Sequence, residues 1–319
     1  MSLDKKEDIQ TLALDFLSVA QQAAIASYPW VGKGKKNEAD GAGTEAMRTR
    51  MNTIGMEGTI VIGEGELDEA PMLYIGERVG TGAGPSVDIA VDPVEGTTLM
   101  SKGQDNSLTV IAVAERGHLL NAPDMYMKKM AAGPKAKGRI DIEAPLTDNI
   151  LAVADALGKD VSEVTVMIQD RDRHQPLIQE VFKAGAKVKL FSDGDVTGAI
   201  ATAIEELDVD LLVGTGGAPE GVISAAALRS LGGDFQAQLV CQSNEEFKRC
   251  VAMGMSDPGK ILRMDDLVKS DQCFFVATGI TDGILLNGVR KKSGGALFTH
   301  SFITVGGKGS YFQFIETRH

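Results

Sequence analysis

The segment from residue 87 to 98, Val-Asp-Ile-Ala-Val-Asp-Pro-Val-Glu-Gly-Thr-Thr, constrains the fold more than any other part of the chain. Apolar residues alternate with period two from Val87 to Val91, which predicts a strand. We expect this strand to stop at Asp92-Pro93, because proline cannot extend a central strand, and Gly96 to let backbone N–H groups approach a ligand. The segment therefore predicts a strand that ends in a tight acidic turn.

The turn itself carries carboxylates and hydroxyl groups. Asp92 and Glu95 would be held at a rigid strand end, and Thr97 and Thr98 follow directly. Carboxylate oxygens of this kind suit Mg²⁺ or Mn²⁺, so the segment favours metal-assisted phosphate chemistry. On these residues alone an alternative stays open, in which Asp92 and the threonines merely cap the next helix at the surface.

Composition and charge exclude several classes of protein. The 319 residues are 43% hydrophobic and 24% charged, which is typical of a globular chain long enough for one large or two medium domains. The net charge of −12 leaves no basic excess to displace counterions from a nucleic-acid backbone, so we expect no nucleic-acid partner. An acidic protein that binds an anionic phosphate needs divalent cations to bridge the two.

Targeting signals and cysteine spacing favour a cytoplasmic protein. No apolar run reaches the ~18 residues that a membrane helix requires, and the N-terminus lacks the order of a signal peptide, so we expect no membrane partner. Cys241, Cys250 and Cys273 are odd in number and show no Cys-x-x-Cys spacing, which indicates reduced core residues. A homodimer or homotetramer is expected from base rates alone.

The first half of the chain predicts helices followed by a meandering sheet, an α+β arrangement. Apolar residues at helical spacing predict a helix over 7–27 and a second helix that begins near Asp40. The predicted strand 58–63 ends in the acidic turn 64–69, which repeats the arrangement of strand and acidic turn described above. Two such turns in one half of the chain strengthen the case for a metal site.

The same half continues with a predicted hairpin. Its strands are 107–114 and 118–120, and Tyr126 falls in the loop after it. After this point the predicted strands and helices begin to alternate along the chain, so we place a domain boundary near residue 160. Residues 1–160 are then an N-terminal α+β domain that carries most metal ligands, and 161–319 a C-terminal α/β domain.

Strands and helices alternate in the second half, which predicts an α/β architecture. The predicted strands are 164–168, 188–191 and 209–213, and the predicted helices are 176–184, 196–207 and 221–231. We expect 273–278 and 298–315 to add further strands to this second sheet. Ligands bind at the carboxyl ends of strands in such sheets, and three polar segments follow the predicted strands there. These segments are 171–174, 192–195 and 214–221.

Two acidic residues are candidate metal ligands with good structural alternatives. Glu220 lies where a glycine-rich segment opens a helix, a position that attracts phosphate and can complete a metal cage. Asp40 lies near the start of the second helix. A carboxylate in the first turn of a helix is also stabilised by the helix dipole, so a purely structural role stays open for both residues.

Basic, acidic and aromatic candidates for substrate binding lie at the other strand ends. Arg171 and Arg173 can clamp a phosphate through their planar guanidinium groups, or lie in a solvated charged turn. Asp193 and Asp195 can accept sugar hydroxyls or cap a helix. Tyr126 can stack on a ligand, although an isolated tyrosine is commonly a packing residue.

The longer motifs of the chain resemble one known family. These motifs are 37–41, 61–77, 88–97, 122–127, 192–195 and 216–226. In this order, over nearly the whole chain, they resemble the bacterial class II fructose-1,6-bisphosphatases. The Asp-Pro-x-Glu-Gly-Thr signature is also similar to the wider lithium-sensitive sugar and inositol phosphatase superfamily. The resemblance implies an α/β fold of α/β/α/β/α layers with two sheets.

The resemblance also implies a set of site residues. Asp40 and Glu64 would hold one metal ion, and Asp92, Glu95 and Glu220 a second. The residues that would meet the 1-phosphate are Glu95, Gly96 and Thr97. Those that would contact the sugar and its 6-phosphate are Tyr126, Arg171, Asp172, Arg173, Asp193, Gly194, Asp195 and Gly217. Asp172 departs from the family, which usually has proline there.

The activity that the resemblance implies is hydrolysis of the 1-phosphate of fructose 1,6-bisphosphate in gluconeogenesis, with Mn²⁺ or Mg²⁺ as cofactor. Thr97, oriented by a carboxylate such as Glu64, would help to deprotonate the attacking water. Sedoheptulose 1,7-bisphosphate is a second candidate substrate. Two rivals stay open: an inositol monophosphatase or nucleotide phosphatase, which would give Arg171 and Arg173 nothing to bind, and a catalytically silent sugar-phosphate sensor.

Overall fold

The computed structural model describes residues 8–64, 72–253, 255 and 257–319. Beyond Glu64, the acidic turn expected at 64–69 therefore lies outside the described residues. The helices are α1 Ala13–Ser27, α2 Lys36–Met51, α3 Thr97–Ser101, α4 Leu146–Leu157, α5 Gln175–Ala184, α6 Asp195–Ala201, α7 Ala218–Leu231, α8 Asn244–Ala252 and α9 Met264–Leu267. The strands are β1 Glu57–Ile62, β2 Arg78–Val79, β3 Ser86–Glu95, β4 Leu108–Glu115, β5 Tyr126–Ala132, β6 Thr165–Gln169, β7 Lys187–Phe191, β8 Leu211–Gly217, β9 Asp234–Leu239, β10 Cys273–Gly279, β11 Arg290–Lys291, β12 Leu297–Val305 and β13 Tyr311–Arg318.

Within the described residues the strands form two mixed sheets, one of eight strands and one of five. The first has the order β11-β12-β10-β4-β3-β1-β2, with β13 also paired to β12, and the second has the order β7-β6-β8-β5-β9. In the second sheet β6 is parallel to both β7 and β8. The carboxyl ends of these three strands therefore meet at one edge, as the sequence predicts.

Helices cover both outer faces and fill the space between the sheets. Phe16 of α1 packs with Ile89 on the outer face of the first sheet, and Ile150 of α4 packs with Val166 on the outer face of the second. Ala225 of α7 lies in a cluster that contains residues of both sheets, and α7 is apolar on nearly all sides because sheets cover it on two faces. This α/β/α/β/α order confirms the predicted fold class.

Strand β3 confirms the period-two prediction but not its predicted end. Ile89 packs with the outer helices and Ala90 faces the layer between the sheets. The strand does not stop at Asp92-Pro93 as predicted. It continues to Glu95 through a register shift against β4, because the missing N–H of proline is accommodated in the irregularity and Thr109 Oγ1 donates to Pro93 O at 2.7 Å.

The hairpin predicted from 107–114 and 118–120 is wrong in its second strand. β4 forms, but Leu119 makes an isolated antiparallel bridge to Val268 instead of pairing with β4. The carboxylate of buried Asp88 accepts hydrogen bonds from the backbone N–H groups of 117–119. These bonds hold residues 117–119 in a loop. Their backbone N–H groups are paired with the Asp88 carboxylate and need no partner in a hairpin.

The two sheets exchange strands along the chain. β10, β12 and β13 join the first sheet, so the prediction that they complete the second sheet is wrong, and β5 from the first half lies in the second sheet. Tyr126 is the first residue of β5 rather than a loop residue. Helix α6 ends at Ala201, earlier than predicted, and β8 runs through the glycine-rich segment to Gly217. The division at residue 160 stays a prediction.

Two smaller expectations concern membranes and thiols. In the part of the chain that the structure describes, no helix is long and apolar enough to cross a membrane. The three cysteines are free thiols, with Cys250 and Cys273 buried and Cys241 half-buried. Burial raises the pKa of the Cys273 thiol to about 12, which makes this thiol unreactive.

Candidate active site

The end of β3 brings two carboxylates and a hydroxyl into one tight turn. Asp92 accepts a hydrogen bond from Val94 N at 2.9 Å, and Glu95 closes the strand. Gly96 then adopts φ +77°, a left-handed conformation that L side chains rarely take, and α3 begins at Thr97. The turn predicted from the sequence therefore forms, with Gly96 providing the reversal.

A third carboxylate reaches this turn from α7. One oxygen each of Asp92, Glu95 and Glu220 lies within 4.8 Å of the other two. Glu220 sits in the first turn of α7 and folds back over Gly217, where an added Cβ would come 1.9 Å from Glu220 Oε2. The absence of a side chain at Gly217 therefore makes room for this carboxylate, and Glu220 Oε2 is buried without a hydrogen-bond partner among the described residues.

The other predicted metal ligands line the same space. A cavity of about 410 Å³ lies between the end of β3, the end of β1 and the start of α7. Its polar lining is Asp40, Glu64, Asp92, Thr97, Asp124, Glu220 and Arg249. Asp40 comes from the second turn of α2 and Glu64 follows β1. The structure thus brings together carboxylates that are up to 180 positions apart in the chain.

Crowding and burial raise the pKa values of these carboxylates. Burial and the nearby Asp92 raise the pKa of Asp40 to about 6, and burial with Asp92 and Asp40 raises the pKa of Glu64 to about 8. Burial also raises the pKa of Glu220 to about 7, although Lys129 opposes it. Like charges in a buried site disfavour ionisation of each group. Cations would relieve this repulsion.

The donor set fits a divalent cation that prefers oxygen ligands. Among the described residues, Asp92, Glu95 and Glu220 form a compact oxygen cluster with no histidine or cysteine in it. Mg²⁺ and Mn²⁺ are bound by carboxylates of this kind, whereas zinc sites favour nitrogen and sulfur ligands. The unpartnered Glu220 Oε2 supports the same conclusion, because a buried carboxylate oxygen is costly without a partner.

Thr97 places its hydroxyl at the floor of the cavity. Thr97 Oγ1 donates to Val94 O at 2.9 Å and lies 3.5 Å from Asp40 Oδ1. Asp40, rather than the Glu64 named as an example from the sequence, is therefore the carboxylate that contacts this hydroxyl. The neighbouring Thr98 points away and accepts a hydrogen bond from the exposed Lys36 at 2.7 Å.

A second cavity of about 230 Å³ meets the first at Glu220. It contains nearly all the residues predicted to bind the sugar and the distal phosphate. Its lining is Glu95, Tyr126, Gln169, Arg171, Arg173, Asp193, Gly194, Asp195, Gly216, Gly217 and Glu220. Asp172 is the exception, because it is exposed at the start of a short 3-10 helix and does not line the cavity. Its departure from the family pattern therefore falls outside the cavity wall.

The basic end of this cavity is fixed mainly through Arg173. Its Nε and Nη2 atoms donate to Thr215 O at 3.0 and 2.7 Å, and Nη2 also donates to Gln169 at 2.9 Å. The guanidinium carbon lies 5.2 Å from the centre of the Tyr126 ring, which is a cation–π distance. Arg171 is held less firmly, with Nη2 3.9 Å from Asp193 Oδ1.

The acidic wall is set by the start of α6. Gly194 adopts φ +83° and its Cα faces Glu95, so the 193–195 turn packs against the end of β3. Asp195 is paired through Oδ2 with Lys129 Nζ at 2.6 Å, while its Oδ1 is buried with no hydrogen-bond partner among the described residues. Oδ1 is therefore the oxygen of this carboxylate that has no protein donor in the part of the chain that the structure describes.

Three residues of the site are missing from the sequence predictions. Lys129 is 3% exposed and stands between Asp195 and Glu220, and Arg249 of α8 lines the first cavity. His174 lies in the predicted ligand segment 171–174 but was given no role there, and it links Gln169 of β6 to Thr215 of β8. His174 Nε2 accepts from Thr215 N at 2.8 Å, so Nδ1 carries the proton and donates to Gln169 O at 2.8 Å. A lysine within the apolar strand 126–132 and a histidine beside Arg173 were the available signals.

Comparison with known proteins identifies the family. The family model described as "Bacterial fructose-1,6-bisphosphatase, glpX-encoded" matches residues 10–319. The chain belongs to this family. It is 48% identical over 321 residues to "Fructose-1,6-bisphosphatase 1 class 2" of Escherichia coli (strain K12), which covers 97% of this chain and 95% of that protein. It is 44% identical over 323 residues to the class 2 enzyme of Haemophilus influenzae, covering 97% and 96%.

A further relative carries a double name. The chain is 51% identical over 294 residues, 88% of each protein, to "D-fructose 1,6-bisphosphatase class 2/sedoheptulose 1,7-bisphosphatase" of Parasynechococcus marenigrum (strain WH8102). A solved structure titled "Extragenic suppressor from Pyrococcus furiosus" aligns with a TM-score of 0.31 and 10% identity over 60% of this chain and 70% of that one. That likeness is too distant to bear on the fold. The resemblance seen in the motifs is confirmed by the family match.

Proposed function

We propose that this protein hydrolyses the 1-phosphate of fructose 1,6-bisphosphate, giving fructose 6-phosphate and phosphate, as a metal-dependent enzyme of gluconeogenesis. One observation carries the proposal: a carboxylate-lined cavity and an arginine-containing cavity meet at Glu220. The first suits cations and a scissile phosphate, and the second suits a sugar with another phosphate. A phosphatase of the cytoplasm is the setting that we propose.

The carboxylates divide between two cation positions. Asp40 and Glu64 would hold one Mg²⁺ or Mn²⁺ ion, and Asp92, Glu95 and Glu220 a second. Bound cations neutralise the charge on the phosphate and lower the pKa of water. The carboxylates contribute the fixed geometry, since they are held by four different parts of the fold: α2, the end of β1, β3 and the first turn of α7.

Thr97 moves the proton of the attacking water. Thr97 Oγ1 accepts a hydrogen bond from the water and takes its proton, while the hydroxyl proton of Thr97 leaves its bond to Val94 O and passes to Asp40 Oδ1, 3.5 Å away. The bond to Val94 O holds the side chain in one rotamer before substrate arrives. General base catalysis of this kind contributes about 10²–10⁴-fold to a rate.

The second cavity orients the substrate. Arg173 and Tyr126 would bind the 6-phosphate, with Arg171 adding charge at the mouth, and Arg173 has Nη1 left for this after its bonds to Thr215 and Gln169. Asp193, the free Oδ1 of Asp195 and the backbone at Gly194 and Gly217 would accept or donate hydrogen bonds to the sugar. Gly96 and Glu95 would meet the 1-phosphate.

Sedoheptulose 1,7-bisphosphate is a second candidate substrate. The observation that favours it is the double name of a relative 51% identical to this chain. The second cavity opens to solvent beside exposed Tyr126, so a sugar longer by one carbon has room to extend.

The direct test is phosphate release from a panel of substrates after removal of metal with a chelator. We expect turnover of fructose 1,6-bisphosphate only after Mn²⁺ or Mg²⁺ is restored, and slower turnover of fructose 1-phosphate and inositol 1-phosphate. Faster hydrolysis of inositol 1-phosphate than of fructose 1,6-bisphosphate would favour the hypothesis of an inositol phosphatase. No release from any sugar phosphate with either cation would favour the non-catalytic sensor.

A further inference from the structure

The outer strand of the first sheet carries an exposed aromatic surface. β13 pairs with β12 on one side, and its other side is open in the part of the chain that the structure describes. Tyr311, Phe312 and Phe314 of this strand are 48, 46 and 43% exposed. Phe312 and Phe314 share one face of the strand and form an exposed apolar patch of the kind that proteins use for association, while Tyr311 lies on the opposite face.

The apolar layer between the sheets continues into this patch. The ring of Phe302, which is fully buried, lies 6.4 Å from Phe275 on its inner side and 5.0 Å from Phe314 on its outer side. Phe312 extends the row, 6.3 Å from Phe314. The row runs from the core to the surface, and the His300 ring stacks on Phe314 at 5.8 Å beside it.

The open backbone groups of β13 can be assigned from its pairing with β12. Leu297 and His319 exchange both backbone hydrogen bonds, so bonded pairs along this antiparallel ladder recur at every second residue. Tyr311, Gln313, Ile315 and Thr317 therefore direct their N–H and C=O groups to β12. The groups that face outward belong to Phe312, Phe314, Glu316 and Arg318.

β13 lacks the devices that keep edge strands apart. Residues 311–318 contain no proline or lysine, and the charges of Glu316 and Arg318 cancel. The whole chain carries a net charge of −12, so a neutral segment of eight residues is a place where two copies approach with little repulsion. Edge strands that remain single are normally protected by charge, proline or a bulge.

We propose that β13 pairs antiparallel with β13 of a second copy of the chain, with Ile315 on the twofold axis. This register pairs all four outward-facing residues: Phe312 lies opposite Arg318 of the partner subunit, and Phe314 opposite Glu316 of the partner subunit. A shift of two residues one way leaves Arg318 without a partner residue in the strand. A shift the other way sets Glu316 against its own copy, which like charge disfavours.

A second copy fits this surface better than an unrelated protein does. An antiparallel edge is self-complementary under a twofold axis, because every contact is made twice. In the proposed register Arg318 of one strand meets Phe312 of the other, so a cation–π pair forms at each end of the interface. The interface joins two first sheets into one and covers the exposed phenylalanine rings.

Mass measurement by light scattering after gel filtration tests the surface. We expect the wild-type protein to be a dimer or tetramer of 33.8 kDa chains, and Phe314→Glu to have half the wild-type mass. Phe182→Glu is the matched control, because Phe182 is 57% exposed on α5 of the other sheet. A monomeric wild-type protein, or a Phe314→Glu variant that folds by circular dichroism and keeps the wild-type mass, would overturn the proposal.

A cysteine pair tests the register without weakening the interface. In a Cys241→Ser background, Ile315→Cys would face its own copy across the axis at a non-hydrogen-bonded position, so we expect a covalent dimer on oxidation. Gln313→Cys is the control, since it would lie opposite Thr317 of the partner subunit and too far from its copy to bond. Cross-linking at 313 but not at 315, or at neither, contradicts the register.

Discussion

We expect the two cavities that meet at Glu220 to recognise phosphate by opposite means. The first is lined by five carboxylates, Asp40, Glu64, Asp92, Asp124 and Glu220, with Arg249 at its wall, whereas the second adds Arg171 and Arg173 to its acidic side chains. In the first, burial and the neighbouring acids raise the pKa values of Asp40 and Glu64, and we expect cations to offset this crowding when a phosphate binds. In the second, the Arg173 guanidinium is already held in place by the backbone carbonyl of Thr215 and the side-chain amide of Gln169.

Because of this difference, we expect the first cavity to determine the rate of the chemical step and the second to determine substrate affinity. A bound cation changes the reactivity of water and ester, so losses in the first cavity should appear in kcat. A guanidinium on a phosphate that does not react holds ground state and transition state alike, so losses in the second cavity should appear mainly in KM. The following variants test that separation, from the largest expected effect to the smallest.

Thr97→Val should lower kcat by about 10²–10⁴-fold, because it removes the hydroxyl that moves the proton while keeping the shape of the side chain. Stopped assays of phosphate release at saturating Mn²⁺ would measure it. Thr98→Val is the control and should keep its activity, since Thr98 contacts exposed Lys36 rather than a cavity carboxylate. Equal turnover by Thr97→Val and wild type would remove Thr97 from the mechanism.

Arg173→Met should raise KM for fructose 1,6-bisphosphate about 10–100-fold with little change in kcat, since hydrogen bonds to a charged group contribute about 1.5–3 kcal/mol. Steady-state kinetics with fructose 1-phosphate supply the control, because that substrate has no 6-phosphate to lose. Arg171→Met should have a smaller effect, as its guanidinium is less firmly held. An equal rise in KM for both substrates would contradict the assignment.

The pH dependence of stability should distinguish the carboxylate cavity from the rest of the molecule. The folded pKa values of Glu64, about 8, and Glu220, about 7, exceed the ordinary value of 4.5. The folded state therefore holds more protons between pH 4.5 and 8, and without metal its stability falls as pH rises through this window. Cations bind the ionised carboxylates, so their stabilising effect should grow over the same range.

Melting temperatures with a chelator and with Mn²⁺, at pH 5, 7 and 9, measure this dependence. The difference in melting temperature between the Mn²⁺ and chelator samples should increase with pH. Glu64→Gln should make this difference smaller, because the glutamine does not ionise. A difference that is constant across pH would indicate that the cavity carboxylates do not bind the ion.

His174→Ala should have the smallest effect, a loss of about 1–3 kcal/mol in the free energy of unfolding, because it leaves the Thr215 N–H and Gln169 C=O unpaired. Urea unfolding would measure it. The variant should also raise KM modestly, since Thr215 and Gln169 hold Arg173. An unchanged midpoint would show that water replaces the ring without cost.

Local patterns predicted the elements of the fold better than their assembly. The alternation from Val87 to Val91 predicted β3, and glycine with threonine after it predicted the turn into α3. The same kind of pattern could not assign β10 and β12 to a sheet, because a buried strand has the same sequence signature in either sheet. The prediction that β3 stops at Pro93 was also wrong, because it considered one strand alone. The register shift against β4 that accommodates this proline depends on the neighbouring strand.

The site divides in the same way. Asp92 and Glu95 were accessible from local sequence, whereas Asp40 and Glu220 were equally consistent with helix ends until the family resemblance joined them. Lys129 could not be found by pattern, since lysine is rarely buried and its burial here depends on Asp195, 66 positions away. A site whose residues come from distant strand ends can be predicted only when the fold, or a related protein, is known.

Binding of Mn²⁺ to chelator-treated protein, followed by calorimetry in wild type and Glu220→Gln, tests the central claim most directly. If Asp92, Glu95 and Glu220 hold a cation together, the wild type should bind Mn²⁺ and the variant should lose one binding site or bind it at least about tenfold more weakly. Equal affinity and stoichiometry in the two proteins would contradict the account of the cavity.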